Sequence, residues 1–541
     1  MEKNQTVQLT IDNLGMNGEG VARVNGEVVF VPFALKGETI TCKCINTKNK
    51  FAIMKIENLL TTSPFRTVPL CPYFKKCGGC DLQHLLYEKQ LEFKTNLVKE
   101  TLKKVGNIEA SVDDCEPSID EYNYRNKASF PIVFDNGYKI GMYRVASHSL
   151  VEIDYCYLQK NSINKLLKLV IKWLDKINCT YYASQYEIDK NSQNKTTLGN
   201  NRNIEHKRQK QTILDDNRQG QNILEGNIQN EINSQQTKID LKSQKVQIID
   251  KNGLNDTYSQ INTLKKTNND KTSQNVSRLN RQLMQNYDKL RYLVAREIDN
   301  KILITLVATG TNIPLINELI ISLKDNFDNF GLNVNINKQD NNVILSNNYK
   351  HIYGSEFLEI NADGVKQSIT NASFYQVNDY IKNKIYKQVK DYLDSNIVID
   401  AFSGAGLLTS MISQKAKKVY GIEIVKSASE SANKLMQENN IQNVENICGD
   451  CTVKLPELIK KLGGDVSVVL DPPRKGCDKK VLKAIIDSKA KKVIYIACSP
   501  ISLSRDAKIL VEEGGYKVKS VKPFDMFPQT KNVETLMVLE K

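Results

Sequence analysis

The most constraining feature of this sequence is an alternation of strand-like and helix-like stretches from Asn396 to the end of the chain. Five short apolar runs, IVIDAF, KKVYGIE, NVENICGD, VSVVLDPP and KKVIYIACSP, are separated by stretches with helical periodicity. Strands that alternate with helices form a parallel sheet with helices on both faces. The pattern therefore predicts a doubly wound α/β domain. Two final runs, GYKVKSVKPFD and NVETLMVLEK, predict a closing antiparallel pair.

The first sixty residues have a different pattern. Residues 5–57 contain short strands interrupted by glycine, and Asn25-Gly26 is a strong signal of a tight hairpin. Five such strands predict a small closed barrel of the oligonucleotide-binding type. Mixed strands and helices at 122–158 and 287–352 indicate a central α+β domain.

Residues 191–285 interrupt this central region. Of these 95 residues 31 are Asn or Gln, and Tyr258 is the one aromatic residue. Because so little apolar surface does not offset the entropy lost on ordering, we expect a mostly disordered insertion. The expected domains are a barrel at 1–60, a central domain at 61–190 and 286–375, and an α/β domain at 376–541.

The charge balance favours a polyanionic partner. The chain has 75 Lys and Arg against 61 Asp and Glu, a net charge of +14. This excess fits binding of nucleic acid, although a solvated Lys-rich surface gives the same balance. No continuous stretch of the sequence approaches the length of about 18 apolar residues that a membrane-spanning helix needs. The N-terminus, MEKNQTVQLT, lacks the layout of a signal peptide, so we expect a cytoplasmic protein.

The DAFSGAG turn after the first of the five strands is a candidate ligand site. Its glycines, Gly404 and Gly406, let the backbone approach a ligand closely, but a third glycine would fall at Thr409, so the dinucleotide fingerprint is incomplete. Glu423 ends the next strand, where a carboxylate accepts both ribose hydroxyls of a nucleoside. Asp450 ends the third strand, where adenine would lie. The spacing predicts an adenosyl cofactor, S-adenosyl-L-methionine, rather than NAD.

Two reactive groups are predicted near the same sheet edge. Cys498 lies in ACSP after the fifth strand, and the DPPRKG loop starting at Asp471 follows the fourth. The helix after Cys498 would favour its thiolate, whereas the alternative is a buried cysteine that only packs. Glu534 enters an apolar strand, where a carboxylate is costly unless solvated, paired or protonated. It is therefore a candidate general base, and the alternative is a surface charge on an edge strand.

A cysteine cluster, CPYFKKCGGC, precedes a predicted helix from about Leu85 to Val105. A closed tetrahedral or cluster site needs a fourth thiolate beyond its three cysteines. Cys156 is the candidate fourth ligand and Cys115 is the competitor. The spacing leaves an iron–sulfur cluster and zinc both open.

The sequence resembles the RNA (uracil-5-)-methyltransferase family, in particular members with an N-terminal TRAM barrel and a [4Fe-4S] cluster. The resemblance covers the chain except 191–285. It rests on CPYFKKCGGC with Cys156, NASFYQVN, DAFSGAG, DPPRKG, IACSP and DMFPQT followed by Glu534. It implies a class I (Rossmann-like) methyltransferase sheet with an N-terminal TRAM/OB-like barrel and a central α+β domain.

The resemblance also implies residue roles. The cluster ligands would be Cys71, Cys77, Cys80 and Cys156. The cofactor contacts would be Gln376, Phe402, Glu423 and Asp471, beside Gly404, Gly406 and Asp450 from the spacing above. Cys498 would be the nucleophile and Glu534 the base. Leu407 stands where the family usually has a polar residue, which puts one cofactor contact in question.

The function implied is methylation of uridine C5 in RNA. The barrel and cysteine cluster resemble the 23S rRNA enzymes most, and the alternative substrate is the T-loop of tRNA. An alternative interpretation outside the enzymes is a non-catalytic RNA-binding iron–sulfur protein. The absence of Cys498 or Glu534 would have favoured it, but both residues are present. We expect a monomer that acts on an unstacked uridine.

Overall fold

The computed structural model describes residues 1–48, 50–197, 287–362, 364–462, 466–488 and 490–541. The chain divides into two compact units, one formed by Met1–Ile177 with Tyr287–Lys541 and the other by Asn178–Asn286. All elements below belong to the first unit, apart from the end of one helix. Most of the predicted insertion, 198–285, lies outside the described residues.

The N-terminal strands form one six-stranded sheet. They are β1 (Thr6–Thr10), β2 (Asn13–Leu14), β3 (Gly20–Val24), β4 (Glu27–Val31), β5 (Thr39–Lys48) and β6 (Phe51–Thr61), in the order β1-β5-β6-β4-β3-β2. Positive φ angles at Asn25 (50°) and Gly26 (83°) confirm the predicted hairpin. The prediction of five strands was wrong by one, because the first run bends at the buried Ile11 and continues as β2.

The central sheet joins strands from both sides of residues 191–285. Its strands are β7 (Lys127–Phe134), β8 (Tyr138–Tyr143), β9 (Leu150–Glu152), β10 (Leu290–Ile298), β11 (Lys301–Ala308), β12 (Phe330–Ile336) and β13 (Tyr349–Gly354), in the order β13-β12-β11-β10-β7-β8-β9. Its helices are α2 (Asn161–Thr197) and α3 (Ile316–Lys324), which Trp173 links by donating to the Leu315 carbonyl at 3.0 Å. The antiparallel pairing of β7 with β10 closes the sheet across the insertion.

The C-terminal part is the predicted α/β domain. A hairpin, β14 (Leu358–Ala362) and β15 (Val365–Ile369), precedes it. The sheet strands are β16 (Ile397–Ala401), β17 (Lys418–Glu423), β18 (Val444–Cys448), β19 (Val466–Leu470), β20 (Lys492–Ala497), β21 (Lys517–Phe524) and β22 (Glu534–Glu540). The helices are α4 (Asp379–Tyr392), α5 (Leu407–Ile412), α6 (Lys426–Glu438), α7 (Cys451–Leu462), α8 (Lys479–Ser488) and α9 (Pro500–Glu512).

Strand order confirms the sequence interpretation. The sheet runs β18-β17-β16-β19-β20-β22-β21, the first five strands are parallel, and β22 is antiparallel to both of its neighbours. One apolar core contains Val468 and Val493, and a second contains Val469 and Ile494, so neighbouring residues of each strand enter different cores. This alternation is expected for a sheet covered on both faces. Within the described part of the chain, no helix is long and apolar enough to cross a membrane.

Helix α1 (Tyr87–Gly106) confirms the helix predicted after the cysteine cluster. It carries Lys94, which is fully buried and donates to Asp525 Oδ1 at 2.5 Å and to the Phe527 carbonyl at 3.1 Å. Gln90, one turn earlier, exchanges two amide hydrogen bonds with Gln529, at 3.0 and 3.1 Å. Helix α1 thereby fixes the segment that leads into β22.

We predict that Lys94→Met strongly destabilises the protein, because it leaves the Asp525 carboxylate buried without its cation. The expected loss is about 3–5 kcal/mol in the free energy of unfolding, measured by urea titration. The double variant Lys94→Met/Asp525→Leu should recover much of this loss. Lys103→Met, also on α1, breaks an exposed ion pair with Glu109 beyond the end of the helix; it is the control and should change stability little. Equal effects of the two single variants would contradict the prediction.

Candidate active site

The glycine turn lies between β16 and α5 and presents main chain to open space. Phe402 (φ 68°), Gly404 (φ 56°) and Gly406 (φ 83°) all have left-handed backbone conformations. A Cβ at Gly404 would meet nothing within 4 Å, whereas one at Gly406 would lie 2.8 Å from the Ala432 Cβ. Gly406 is therefore needed for helix packing, and Gly404 leaves room for a ligand to approach the backbone.

Acidic residues end the two strands beside this turn. Glu423 is the last residue of β17, and its carboxylate accepts from the Gly404 amide at 2.9 Å and the Val425 amide at 2.7 Å. Asp450 follows β18 and is exposed, and its hydrogen bond from the Thr452 amide holds its pKa below the ordinary value. Because β18, β17 and β16 are neighbours, the structure brings Asp450, Glu423 and Gly404 to one edge of the sheet.

The two other predicted cofactor contacts are placed differently. Phe402 begins the glycine turn and packs partly buried against the core of the sheet. Gln376 lies before α4 and is buried, and its carbonyl accepts from Asn126 Nδ2 at 2.9 Å. Hairpin β14–β15 reaches the turn as well, since Gln367 Nε2 donates to the Ala405 carbonyl at 3.4 Å.

Two acidic residues, the buried Asp400 and the partly exposed Asp471, occupy the next two strand ends. Asp400 lies in β16 and Asp471 directly after β19, and burial raises the pKa of each carboxyl group to about 7. Thr409 donates to Asp400 Oδ2 at 2.5 Å, which partly opposes the rise for Asp400. The carboxyl groups of Asp400 and Asp471 therefore bind protons more readily than exposed carboxyl groups do.

Cys498 directly follows β20 and is half-buried. The pKa of its thiol is raised to about 11, chiefly by burial and then by the charge of Glu534, whereas the Arg474 guanidinium partly opposes the rise. The position before α9 is as predicted, and the contribution of this helix terminus to the thiolate stays a prediction. Burial acts in the opposite direction, because it disfavours the charged form of the thiol.

Glu534 is the first residue of β22, and its placement overturns the surface-charge alternative. Strand β22 lies between β20 and β21, and Glu534 is 2% exposed. Burial, followed by the charge of Asp471, raises the pKa of Glu534 well above its ordinary value, and Arg474 opposes this rise. Ala497 pairs with Thr535, so the next step in the register brings Cys498 and Glu534 to the same sheet edge.

The Cys498 thiol lines a cleft of about 360 Å³. The lining residues are Met16, Asn17, Leu97, Arg474, Cys498, Ser499, Pro500, Ile501, Lys531, Asn532 and Val533. Three parts of the chain meet here, namely the loop between β2 and β3, helix α1 and the sheet edge. The cleft thus places a nucleophilic sulfur beside two cations, Arg474 and Lys531, which suits an anionic or polar ligand.

Of the two candidate fourth ligands, Cys156 lies near the three clustered cysteines and Cys115 does not. The thiol charges of Cys71, Cys77 and Cys80 each interact with that of Cys156, whereas Cys115 is buried beside the Lys94–Asp525 pair. Two hydrogen bonds hold the loop to the β8–β9 region: the Gly78 amide donates to the Tyr143 carbonyl at 3.0 Å, and the Tyr73 hydroxyl to Asp154 Oδ1 at 2.6 Å.

The surroundings of these four thiols bear on what they could bind. Burial raises the pKa of all four, so without a metal they are protonated. Gln83 accepts from the Cys71 amide at 3.2 Å through its Oε1, and its side chain also bonds the Cys80 thiol, which partly opposes the rise in the pKa of Cys80. In the described residues, no three His, Cys, Asp or Glu side chains are placed so that they could hold a metal ion.

Comparisons with known proteins agree with this geometry. A family model described as tRNA (Uracil-5-)-methyltransferase matches residues 463–541, and a TRAM domain model matches residues 1–53. An RNA methyltransferase of Clostridium acetobutylicum is 31% identical over 551 residues, covering 100% of this chain and 98% of that protein. The chain belongs to the RNA (uracil-5-)-methyltransferase family. An RNA methyltransferase of Listeria innocua is also 31% identical, with 100% and 98% coverage.

The fold of this family is found in a solved structure. The tRNA (uracil-54, C5)-methyltransferase of Pyrococcus abyssi, determined with S-adenosyl-L-homocysteine, has a TM-score of 0.64 and 19% identity. The match covers 98% of this chain and 100% of that one. It confirms the predicted architecture of a methyltransferase sheet with further N-terminal domains.

Sequence reasoning missed two contributors to the cleft. The DPPRKG loop was named from the sequence, but Arg474 was given no role. Its position after two prolines at a strand end could have indicated a cation that faces a ligand. The barrel loop with Met16 and Asn17 carries no such signal, because it reaches the cleft only through tertiary packing. Gly18 in this loop lies so close to Leu82 that a Cβ would meet Leu82 Cδ2 at 2.5 Å.

Proposed function

We propose that this enzyme transfers a methyl group from S-adenosyl-L-methionine to C5 of a uridine in RNA through a covalent adduct with Cys498. The observation that carries the proposal is the meeting of Cys498, Glu534 and Arg474 beside the glycine turn of a methyltransferase sheet. Membership of the RNA (uracil-5-)-methyltransferase family supports the reaction class.

The proposed reaction begins at C6 of the base, because C5 of uracil is a poor nucleophile. Cys498 loses its proton to solvent, and its thiolate adds to C6 to give an enolate. C5 of the enolate then attacks the methyl group of the sulfonium, which supplies an electrophilic carbon and leaves as a neutral thioether. Glu534 takes the C5 proton, the C5–C6 double bond re-forms, and the Cys498 thiolate departs.

The charges around the site suit this order of steps. Arg474 is the cation that favours the Cys498 thiolate, against burial and the charge of Glu534. Addition to C6 converts the thiolate into a neutral thioether. The repulsion between the two anions is then gone, so Glu534 ionises more easily when it has to accept the C5 proton.

Cofactor binding is proposed for the turn and strand ends described above. The main chain at Gly404 and Gly406 would contact the ligand. The Glu423 carboxylate would accept hydrogen bonds from the ribose hydroxyls. Asp450 would lie at the adenine, with Gln376, Phe402 and Asp471 completing the contacts. The open space at Gly404 supports this placement. Leu407 is buried at the start of α5, so it offers no polar contact to the ligand.

The proposed substrate is 23S rRNA, on the resemblance of the barrel and cysteine cluster to the rRNA enzymes. The net charge of +14 fits an RNA partner of either kind. The family description and the Pyrococcus abyssi enzyme favour tRNA as the second candidate. In both cases the base must leave its stack to reach Cys498.

We also propose that Cys71, Cys77, Cys80 and Cys156 hold a [4Fe-4S] cluster. The proposal is supported by the electrostatic interaction of the Cys71, Cys77 and Cys80 thiols with that of Cys156, and by the Gln83 side chain that bonds the Cys80 thiol. Such a cluster would join the 71–80 loop to the segment that carries Cys156.

We predict that Cys498→Ala abolishes methylation while S-adenosyl-L-methionine binding, measured by calorimetry, stays nearly intact. Glu534→Gln should instead accumulate a denaturant-stable RNA–protein adduct, because it blocks removal of the C5 proton. Cys179→Ser, at an exposed cysteine that is not one of the residues lining the cleft, is the control and should behave as the wild type. Methylation by Cys498→Ala at the wild-type rate would rule out the covalent mechanism. Absence of any adduct with Glu534→Gln would remove Glu534 from the role of base.

We predict that protein purified without oxygen is brown and contains about four irons per chain. Cys156→Ser should lose the metal, whereas Cys115→Ser, a matched change at a buried cysteine outside the cluster, should keep it. Metal analysis and the visible absorption spectrum measure both. Stoichiometric zinc without iron in the wild type would refute the iron–sulfur assignment.

A further inference from the structure

The Pro-Pro-Arg loop is held from behind by helix α9. Asp506 of α9 is fully buried, and its Oδ2 accepts from the Cys477 amide and from the Tyr495 hydroxyl, both at 2.7 Å. Its Oδ1 accepts from Arg505 Nε at 2.8 Å. A buried carboxylate with three donors is a rigid anchor, since each hydrogen bond offsets part of its lost hydration.

Arg505 extends this anchor to the other side of Gly476. Its Nη2 donates to the Lys475 carbonyl at 2.8 Å. Gly476 has a left-handed backbone (φ 79°), and a Cβ there would lie 2.5 Å from Asp506 Oδ2. Main-chain groups on both sides of Gly476 are thus fixed to α9, immediately after Arg474.

The same helix determines the place of Cys498. Helix α9 begins at Pro500, and Ser499 caps it by accepting from the Ser502 amide. Cys498 therefore lies directly before the cap of α9, and Asp506, which anchors the Arg474 loop, lies one to two turns into the same helix. Arg474 itself is exposed, so its direction depends on the main chain that the anchor fixes.

We propose that Asp506 is a positioning residue that keeps the Arg474 guanidinium facing Cys498. This inference rests on the proposed function in taking Cys498 as the nucleophile. The cation next to the sulfur attracts the thiolate charge, and it is the group that opposes burial there. Asp506 thereby affects Cys498 through the position of Arg474 and does not contact Cys498 itself.

The test compares two alkylating agents on the full-length protein without RNA. Iodoacetate is an anion and iodoacetamide is neutral, so the ratio of their rates at Cys498 reports the positive charge nearby, whatever the thiol reactivity. Peptide mass spectrometry gives the rate at Cys498, with the exposed Cys179 as the internal reference. Arg474→Gln should lower the ratio about threefold or more at low salt.

Asp506→Asn should lower the ratio to the same extent, and the double variant with Arg474→Gln should lower it no further. The sign is decisive, because loss of an anion by itself would raise the ratio. A ratio that is unchanged or raised in Asp506→Asn would overturn the proposal, and so would an unchanged ratio in Arg474→Gln.

Two further variants complete the experiment. Glu512→Gln removes one exposed negative charge from the same helix without contacting the loop and should leave the ratio at the wild-type value. Arg505→Lys, at a half-exposed residue, keeps the positive charge but weakens the guanidinium contacts with Asp506 and Lys475, so a lowered ratio gives the same test if Asp506→Asn does not fold. Because RNA is absent, these ratios stay readable even if Cys498→Ala proves active and the proposed function fails.

Discussion

The loss of hydration at the carboxyl edge of the sheet is the constraint on which the rest of the site depends. Asp471 and Glu534 are brought there by β19 and β22, and burial raises the pKa of both. Arg474 is the cation that opposes this effect at Glu534 and at Cys498. A raised carboxyl pKa makes such a group bind a proton more readily, which is the property expected of Glu534 as the proposed general base.

The parallel part of the fold was predictable because its signals are local. Apolar runs with helices between them give a parallel sheet, and the carboxyl ends of its strands meet at one edge. Gly404, Glu423 and Asp450 could therefore be grouped from spacing alone. The Asn25-Gly26 hairpin is equally local, since both residues accept positive φ angles.

The remaining features depend on contacts between distant parts of the chain. For Glu534, the alternative of an edge-strand surface charge stayed open because no local signal shows that β22 inserts between β20 and β21. The pKa of Cys498 rises because of burial that only the assembled cleft creates. The anchor at Asp506 was equally hidden, since its partners, Cys477 and Tyr495, lie on other elements.

This enzyme is proposed to methylate uridine C5 in RNA, with 23S rRNA as the substrate. The most direct measurement maps 5-methyluridine in rRNA and tRNA from cells that lack the gene and from cells complemented with wild-type or Cys498→Ala protein. The account predicts that 5-methyluridine disappears from 23S rRNA without the gene and returns only with the wild-type protein. Loss from tRNA alone would transfer the assignment to tRNA, and unchanged 5-methyluridine in both RNAs would contradict the account.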